Sequence, residues 1–116
     1  MAKEWTPADV FDVLADERVR SILLATNERT RSVQDLTRVC DGSQSAIYRR
    51  VSILVDHDLL TEETKVDADG HHYSVYHPNF EHIDIDLDDD TIVLTINTLD
   101  GSTTDYTVTW ERDDTE

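Results

Sequence analysis

The chain has 116 residues, a formal net charge of −16, 38% hydrophobic and 31% charged residues, and a single cysteine. This length supports one hydrophobic core without disulfides, and we expect a cytoplasmic protein in a reducing compartment. No apolar run is long enough to span a bilayer, and we expect no signal peptide because the first residues lack an apolar segment.

The first part of the chain predicts a series of short helices. Thr6 as N-cap and Pro7 at the first helical position open the first helix. A second helix is predicted over residues 16–26, and Ser32 followed by Asp35 opens a third in a capping-box pattern. Val10, Phe11 and Leu14 lie on one side of the first helix, which with Trp5 is a plausible dimer seam. The residues predicted to form the apolar faces of the next two helices are Val19, Ile22 and Leu23, then Val33, Leu36, Val39 and Cys40.

A fourth helix is predicted after a break at Asp41-Gly42, with Ser43 as its N-cap and an end near residue 57. Its apolar residues recur at i, i+4 and i+7, which indicates one buried face: Ile47, Val51 and Leu54. The opposite face is polar and comprises Ser45, Arg49, Ser52 and Asp56, flanked by Tyr48. Two helices joined by a glycine-containing turn, the second with an apolar back and a polar front, form the helix-turn-helix pattern.

The rest of the chain predicts strands. Strand-forming residues on both sides of Asp69-Gly70 indicate a β-hairpin, a wing, directly after the fourth helix. Beyond Pro78, apolar and polar residues alternate in three segments separated by Asp89-Asp90 and Asp100-Gly101, which predicts an antiparallel meander. Its apolar face is predicted to comprise Ile83, Ile85, Leu87, Ile92, Leu94, Ile96, Tyr106, Val108 and Trp110. We therefore predict an α+β fold: a winged helix-turn-helix domain of three to four helices plus a hairpin over residues 1–78, and an acidic three-stranded meander over residues 79–116 that packs on the helices or mediates dimerisation.

Charge is unevenly distributed over these two parts. Residues 1–78 hold 9 basic and 14 acidic side chains, whereas residues 79–116 hold 1 basic and 12 acidic. Within residues 18–50, seven arginines against three acidic residues give a local net charge of +4. This positive segment surrounds the fourth helix, as expected if that helix binds nucleic acid. The excess of Asp over Glu, 18 to 8, is similar to that of proteins from salt-loving microbes.

The run SQSAIYRRVSILVDHDLL, with the helices before it and the hairpin after it, resembles the ArsR-like winged helix-turn-helix transcriptional regulators, particularly those of halophilic archaea. The resemblance covers roughly residues 8–77 and implies a homodimer that binds double-stranded promoter DNA sequence-specifically. It implies that the helix over residues 43–57 lies in the major groove. The positions that match the DNA-facing side chains of the family are Ser43, Gln44, Ser45, Tyr48 and Arg49.

The chemistry of these residues agrees with that role. Gln44 can pair with adenine, Arg49 with guanine or a phosphate, and Tyr48 with a thymine methyl or a phosphate. Arg50, at the edge of the core face, is expected to reach the DNA backbone. The wing tip at residues 67–70 is acidic, so we predict backbone contacts along the hairpin sides instead, from Lys65, His71 and His72.

Other functions find less support in the sequence. Cys40 is either a redox sensor beside the fourth helix or a small buried hydrophobe. It lacks the paired cysteine of the family's metal-sensing members, and no metal site or cofactor is predicted. No phosphate-binding glycine loop or nucleophile motif points to an enzyme. The alternative to DNA binding is a protein-interaction module that binds a basic partner through its acidic meander.

Overall fold

The computed structural model describes residues 7–88, 91–99 and 106–111. Within this part, four helices precede five strands that form two antiparallel sheets, one of β1 and β2 and one in the order β3-β4-β5. The predicted α+β fold, a winged helix-turn-helix followed by a three-stranded meander, is confirmed. The elements are α1 Pro7–Ala15, α2 Glu17–Glu28, α3 Val33–Val39, α4 Gln44–Asp56, β1 Leu60–Val66, β2 His72–Pro78, β3 Phe80–Asp88, β4 Thr91–Thr98 and β5 Tyr106–Glu111.

Local capping explains where most helices begin. Ser32 Oγ accepts from the backbone N–H of Asp35, and the Asp35 carboxylate accepts in return from the N–H of Ser32, which confirms the predicted capping box of α3. Asp16 caps α2 rather than forming its first helical residue. The predicted cap of α1, Thr6, lies outside the described residues.

Helix α2 ends two residues later than predicted, because the side chain of Arg31 donates hydrogen bonds to groups in the last turn of the helix. The guanidinium Nε of Arg31 donates to the carbonyl of Ala25 at 2.9 Å, and Nη2 lies 3.0 Å from a carboxylate oxygen of Glu28. A cation at the C-terminus of a helix also interacts favourably with the helix dipole. Glu28 therefore remains helical although it lies outside the predicted apolar pattern.

One hydrophobic core joins the helices, the hairpin and the second sheet. Ile96 of β4 belongs to the same buried cluster as the core residues of α2, α3 and α4, and Phe80 and Ile83 of β3 pack against that cluster. The prediction that Val39 faces inward is wrong, because its side chain is 55% exposed. Helix α3 ends at Val39, and the extended backbone of the C-cap residue Cys40 places Cys40 in the core instead.

The second sheet has the predicted alternation, but only part of its apolar face is covered. Cross-strand register pairs Ile83 with Ile96, Ile85 with Leu94, and Leu87 with Ile92, so these six side chains share one face. Leu94 and Ile96 are buried, whereas Ile85, Leu87 and Ile92 are exposed. Part of this face therefore packs within the chain, and the predicted packing of the exposed remainder on a second copy stays a prediction.

Strand β5 continues the sheet in register with β4, pairing Leu94 with Val108 and Ile96 with Tyr106. This register agrees with the predicted alternation on β5. The side chains of Tyr106, Val108 and Trp110, and the turns predicted at Asp89-Asp90 and Asp100-Gly101, lie outside the described part of the chain.

Candidate nucleic-acid interface

Helix α4 is fixed in the core by its apolar back. Ile47, Val51 and Leu54 are essentially inaccessible to solvent, as their spacing predicted. Ser43 caps the helix, and its Oγ accepts from the backbone N–H of Ala46 at 3.2 Å. This anchoring determines which side of α4 faces solvent.

The exposed side of α4 carries five of the predicted site residues together. Ser43, Gln44, Ser45, Tyr48 and Arg49 are all exposed. Ser43 Oγ and Ser45 Oγ lie 3.3 Å apart, and Tyr48 is 58% exposed despite its aromatic ring. Arg49 forms no salt bridge with any of the described residues. This surface presents hydroxyl, amide and guanidinium groups, which are the groups that read base edges.

The hairpin is attached to the helices by a backbone bridge. The N–H of Arg31 donates to the carbonyl of Tyr76 at 3.2 Å, and the N–H of Tyr76 donates back to Arg31 at 2.8 Å. Residue 31 lies in the connection between α2 and α3, so β2 is bound directly to the helix-turn-helix. The Tyr76 hydroxyl donates to Glu62 at 3.3 Å across the hairpin, and burial and the Glu62 carboxylate raise the pKa of Tyr76. The wing therefore has a defined position relative to α4.

The wing tip is closed by an aspartate. Asp67 Oδ1 accepts from the backbone N–H groups of Asp69 and His71, each at 2.9 Å, and Gly70 at the turn has φ +84°. Nδ1 of His71 lies 3.5 Å from Asp67 Oδ2. The two other predicted wing contacts are also exposed: Lys65 pairs with Glu63 at 3.5 Å, and His72 begins β2. These three exposed side chains lie along the hairpin.

Arg50 is not part of the exposed face of α4. Its Nε donates to Asp16 Oδ2 at 2.7 Å, its Nη1 donates to the carbonyl of Ala46 at 3.0 Å, and its side chain is only 21% exposed. Burial alone would raise the pKa of Asp16, but the hydrogen bond from Arg50, the N–H of Arg18 and the positive charge of Arg50 outweigh it and lower that pKa. Arg50 therefore joins α4 to the start of α2.

Two more arginines have internal partners. Arg20 Nη1 donates to the carbonyls of Leu14 and Ala15 at the end of α1, and Arg18 Nε donates to the carbonyl of Asp41. Together with Arg31 and Arg50, they make four of the seven arginines in residues 18–50, a segment that the structure describes completely. The positive segment of the sequence is therefore largely a set of helix-end and turn contacts, and a smaller part of it is surface charge. A charge count cannot separate these uses, because it does not show whether an arginine bonds to a backbone carbonyl, to a carboxylate or to solvent.

A groove lies between α4 and the wing. It has a volume of about 850 Å³ and is lined by Ser32, Val33, Gln34, Asp35, Gln44, Ser45, Tyr48, Asp67, Tyr73, Ser74 and Tyr76. Gln44, Ser45 and Tyr48 were predicted as site residues, whereas Gln34 and Tyr73 were not. Tyr73 lies opposite Lys65 in the hairpin, so pairing the two strands around Asp69-Gly70 would have placed it beside a predicted contact.

Cys40 lies in the core with 7% of its surface exposed. Burial raises the pKa of its thiol, and the charge of Arg31 acts in the opposite direction without cancelling that effect. The reactive thiolate form is thus disfavoured. The cation that acts on this thiol is Arg31, which lies nine residues earlier in the chain.

The described residues contain one group of three side chains that could hold a metal ion, at the wing tip: Asp67, Asp69 and His71, whose ligating atoms lie within 4.8 Å of one another. All three are exposed, and one oxygen of Asp67 already accepts two backbone hydrogen bonds. Among the described residues, no helix has both the length and the apolar character needed to cross a membrane.

Comparison with known families gives one match. Residues 14–63 match the model of a family described as a helix-turn-helix domain. No curated protein matches the chain. The matched segment begins at the end of α1, spans α2, α3 and α4, and ends in β1, so it contains the capped turn and the exposed face of α4. Residues 14–63 are therefore similar to a helix-turn-helix domain, in agreement with the geometry of α3, the turn and α4.

Proposed function

We propose that the protein is a sequence-specific transcriptional regulator, of the ArsR-like type and halophilic archaeal origin, that binds double-stranded promoter DNA with α4 in the major groove. One observation carries the proposal: α4 is immobilised by a buried apolar back, and its exposed front presents base-reading side chains. The major groove of B-DNA is wide enough to admit such a helix. A helix-turn-helix regulator of this kind acts in the cytoplasm by binding DNA, and it has no enzymatic activity.

The proposed contacts divide into base-reading and backbone groups. Gln44 pairs with adenine and Arg49 with guanine, since each side chain can form two hydrogen bonds to one base. Ser43, Ser45 and Tyr48 contact phosphates or a thymine methyl. Lys65, His71 and His72 contact the backbone from the wing, while the acidic tip stays outside the minor groove. We leave Arg50 out of the contact set because it is paired with Asp16.

In this proposal, residues 1–78 bind DNA and residues 79–116 mediate dimerisation. The exposed apolar end of the second sheet, formed by Ile85, Leu87 and Ile92, supports this assignment. Covering an exposed apolar face of a sheet stabilises the protein, and a second copy could cover this one. In the resulting dimer, the two α4 helices would contact half-sites about one DNA turn apart. The acidic strand face then points away from DNA.

Selection from a pool of random-sequence DNA duplexes, with the full chain in concentrated KCl, tests the proposal. We expect enrichment of a shared sequence with two related half-sites. Arg49→Ala should weaken binding to the selected duplex by about 1–3 kcal/mol and relax the preference at one base position. Arg29→Ala, which removes an equal charge at an exposed position outside α4, is the matched control.

A protein-interaction module with a basic partner is the second candidate. Asp84 and Asp86 alternate with the apolar residues of β3 and are exposed, which gives the second sheet an acidic outer face. Failure to enrich any duplex, with Arg49→Ala behaving as wild type in every assay, would overturn DNA binding and favour this candidate.

A further inference from the structure

Neither lysine nor arginine lines the groove between α4 and the wing, the α4–wing groove. This is unusual for a surface that binds nucleic acid. Four of its lining side chains have hydrogen-bond donors that bond to no group among the described residues: Gln34, Gln44, Tyr48 and Tyr73. All four are exposed. They are uncharged amides and phenols.

This groove is continuous with the face proposed to read DNA. Gln44 and Tyr48 belong both to the exposed side of α4 and to the groove wall, and Tyr73 faces them from the wing. A DNA strand flanking a major groove that holds α4 would run between α4 and the wing. The occupant that this continuity favours is therefore the sugar-phosphate backbone of the bound duplex.

Two carboxylates also line the groove, and both have partners. Asp35 accepts from the N–H of Ser32 and lies 3.8 Å from Arg38. Asp67 accepts two backbone hydrogen bonds at the wing tip and lies near His71. Their charges oppose phosphate at low salt, but the Debye length falls to about 3 Å at 1 M, so concentrated salt screens the repulsion.

Few cationic side chains are available around the α4–wing groove. Four of the seven arginines in residues 18–50 are held by internal carbonyls or by carboxylates. Near the groove, Arg38 lies 3.8 Å from Asp35, and Lys65 lies opposite Tyr73 while pairing with Glu63, whereas Arg49 on α4 is assigned to a base. One to two cations per protomer are thus placed to neutralise phosphates.

We propose that the α4–wing groove holds a DNA strand through uncharged donors, chiefly Gln34, Tyr48 and Tyr73, so that binding persists in concentrated salt. The inference rests on the proposed function and adds to it which side chains hold the DNA backbone. Uncharged donors release no counterions when they bond to phosphate oxygens. Affinity gained in this way is therefore insensitive to salt.

The salt dependence follows from the number of neutralised phosphates. The logarithm of the binding constant falls with the logarithm of salt concentration with a slope of about −0.9 per neutralised phosphate. One to two cations per protomer give a slope of about −1 to −2 per protomer. An interface with about 6–10 cationic phosphate contacts would instead lose roughly a thousandfold or more in affinity over a modest rise in salt.

The test uses the duplex recovered by selection from the random pool, titrated by fluorescence anisotropy across a tenfold range of KCl concentration. Tyr73→Phe and Gln34→Ala each remove one uncharged donor, and each should weaken binding about threefold to tenfold at every salt concentration, with the slope unchanged. Arg49→Ala should weaken binding and relax the preference at one base position, whereas Lys65→Ala should make the slope less negative by about 1. Thr95→Val, on β4 and away from the groove, is the control for loss of a hydroxyl.

The outcomes separate the inference from the proposed function. The groove assignment would be overturned, and DNA binding left intact, by one combination of results. In that combination Tyr73→Phe and Gln34→Ala both bind with wild-type affinity, while Arg49→Ala binds more weakly. A wild-type slope steeper than about −4 per protomer would also overturn it, because cations would then dominate. A pool that yields no bound duplex overturns both. Thermal unfolding of each variant confirms that the fold is retained, as expected for exposed side chains.

Discussion

Arg50 Nε donates to Asp16 Oδ2 over 2.7 Å, while the other oxygen of Asp16 accepts from the N–H of Arg18 at 2.9 Å. One carboxylate therefore caps α2 and holds α4 at the same time. Both side chains of the pair are partly buried, with exposures of 21% and 30%. The orientation of the proposed recognition helix thus depends on a residue 34 positions earlier in the chain.

Asp16→Ala is expected to lower the free energy of unfolding by about 1–3 kcal/mol, since it removes both the N-cap and the partner of Arg50. Asp16→Asn should cost less because asparagine is also a good N-cap. A double-mutant cycle with Arg50→Ala, measured by urea denaturation, should give a coupling of about 0.5–3 kcal/mol. A coupling near zero would mean that the pair does not hold α4.

The same pair should make stability depend on pH. The pKa of Asp16 is lowered in the folded chain, so its contribution is fully present above the unfolded pKa of about 3.9 and is lost as the pH falls through the folded value. The difference in unfolding free energy between wild type and Asp16→Asn should therefore be constant above about pH 5 and shrink at lower pH. A difference that stays constant down to acid denaturation would contradict the assignment.

Features that depend on neighbours in the sequence were predictable. Ser32 and Asp35 are three residues apart, and the period of Ile47, Val51 and Leu54 identifies the buried back of α4. These patterns are sufficient for the helix-turn-helix and for the side of α4 that faces solvent, because caps and helix periodicity are local.

Features that depend on distant partners were not predictable. Arg18 and Arg50 look like surface charge in the sequence, yet their acceptors lie 23 and 34 residues away. The exposure of Ile85 and Leu87 depends on which elements pack against the second sheet, and alternation along a strand contains no information about that packing. The groove residues Gln34 and Tyr73 come from α3 and β2, two elements that are far apart in the sequence and are joined through the bridge between Arg31 and Tyr76 and the shared core.

The turn between α3 and α4 should tolerate substitution less well than the turn of the wing. Gly42 has φ +138°, and an added Cβ would lie 3.2 Å from Arg18 Nε, which donates to the carbonyl of Asp41. Gly70 has φ +84°, with nothing within 4 Å of such a Cβ. We expect Gly42→Ala to cost about 1–3 kcal/mol and Gly70→Ala about 1 kcal/mol, measured by thermal unfolding. An equal or larger loss in Gly70→Ala would show that contact with Arg18 is unimportant.

Cys40 should react slowly in the folded chain. Its thiol is buried and its pKa is raised, so alkylation by iodoacetamide should be at least about tenfold slower in native protein than in urea. Binding to the selected duplex should be unaffected by mild oxidant. Equal alkylation rates in the two states, or loss of binding on oxidation that Cys40→Ala abolishes, would restore the redox-sensor hypothesis.

The second sheet offers a matched pair of leucines on one face. Leu94 is 1% exposed and Leu87 is 81% exposed, so the first packs inside the chain and the second is available to a second copy. Leu94→Ala should cost about 2–5 kcal/mol of stability through the cavity it leaves. Leu87→Asp should leave the helical content unchanged and shift the mass to that of the monomer in sedimentation equilibrium at high salt.

These point variants are more informative than removal of residues 82–116, because the buried Ile96 belongs to the same core as the helices and its loss would disturb the whole fold. Thr95→Val, at a β4 position whose side chain points to the opposite face, is the control and should leave the mass unchanged. A dimer that survives in Leu87→Asp would place the interface elsewhere, with the half-exposed Phe11 of α1 as the next position to substitute. A chain that is monomeric before any substitution would contradict dimerisation through this sheet.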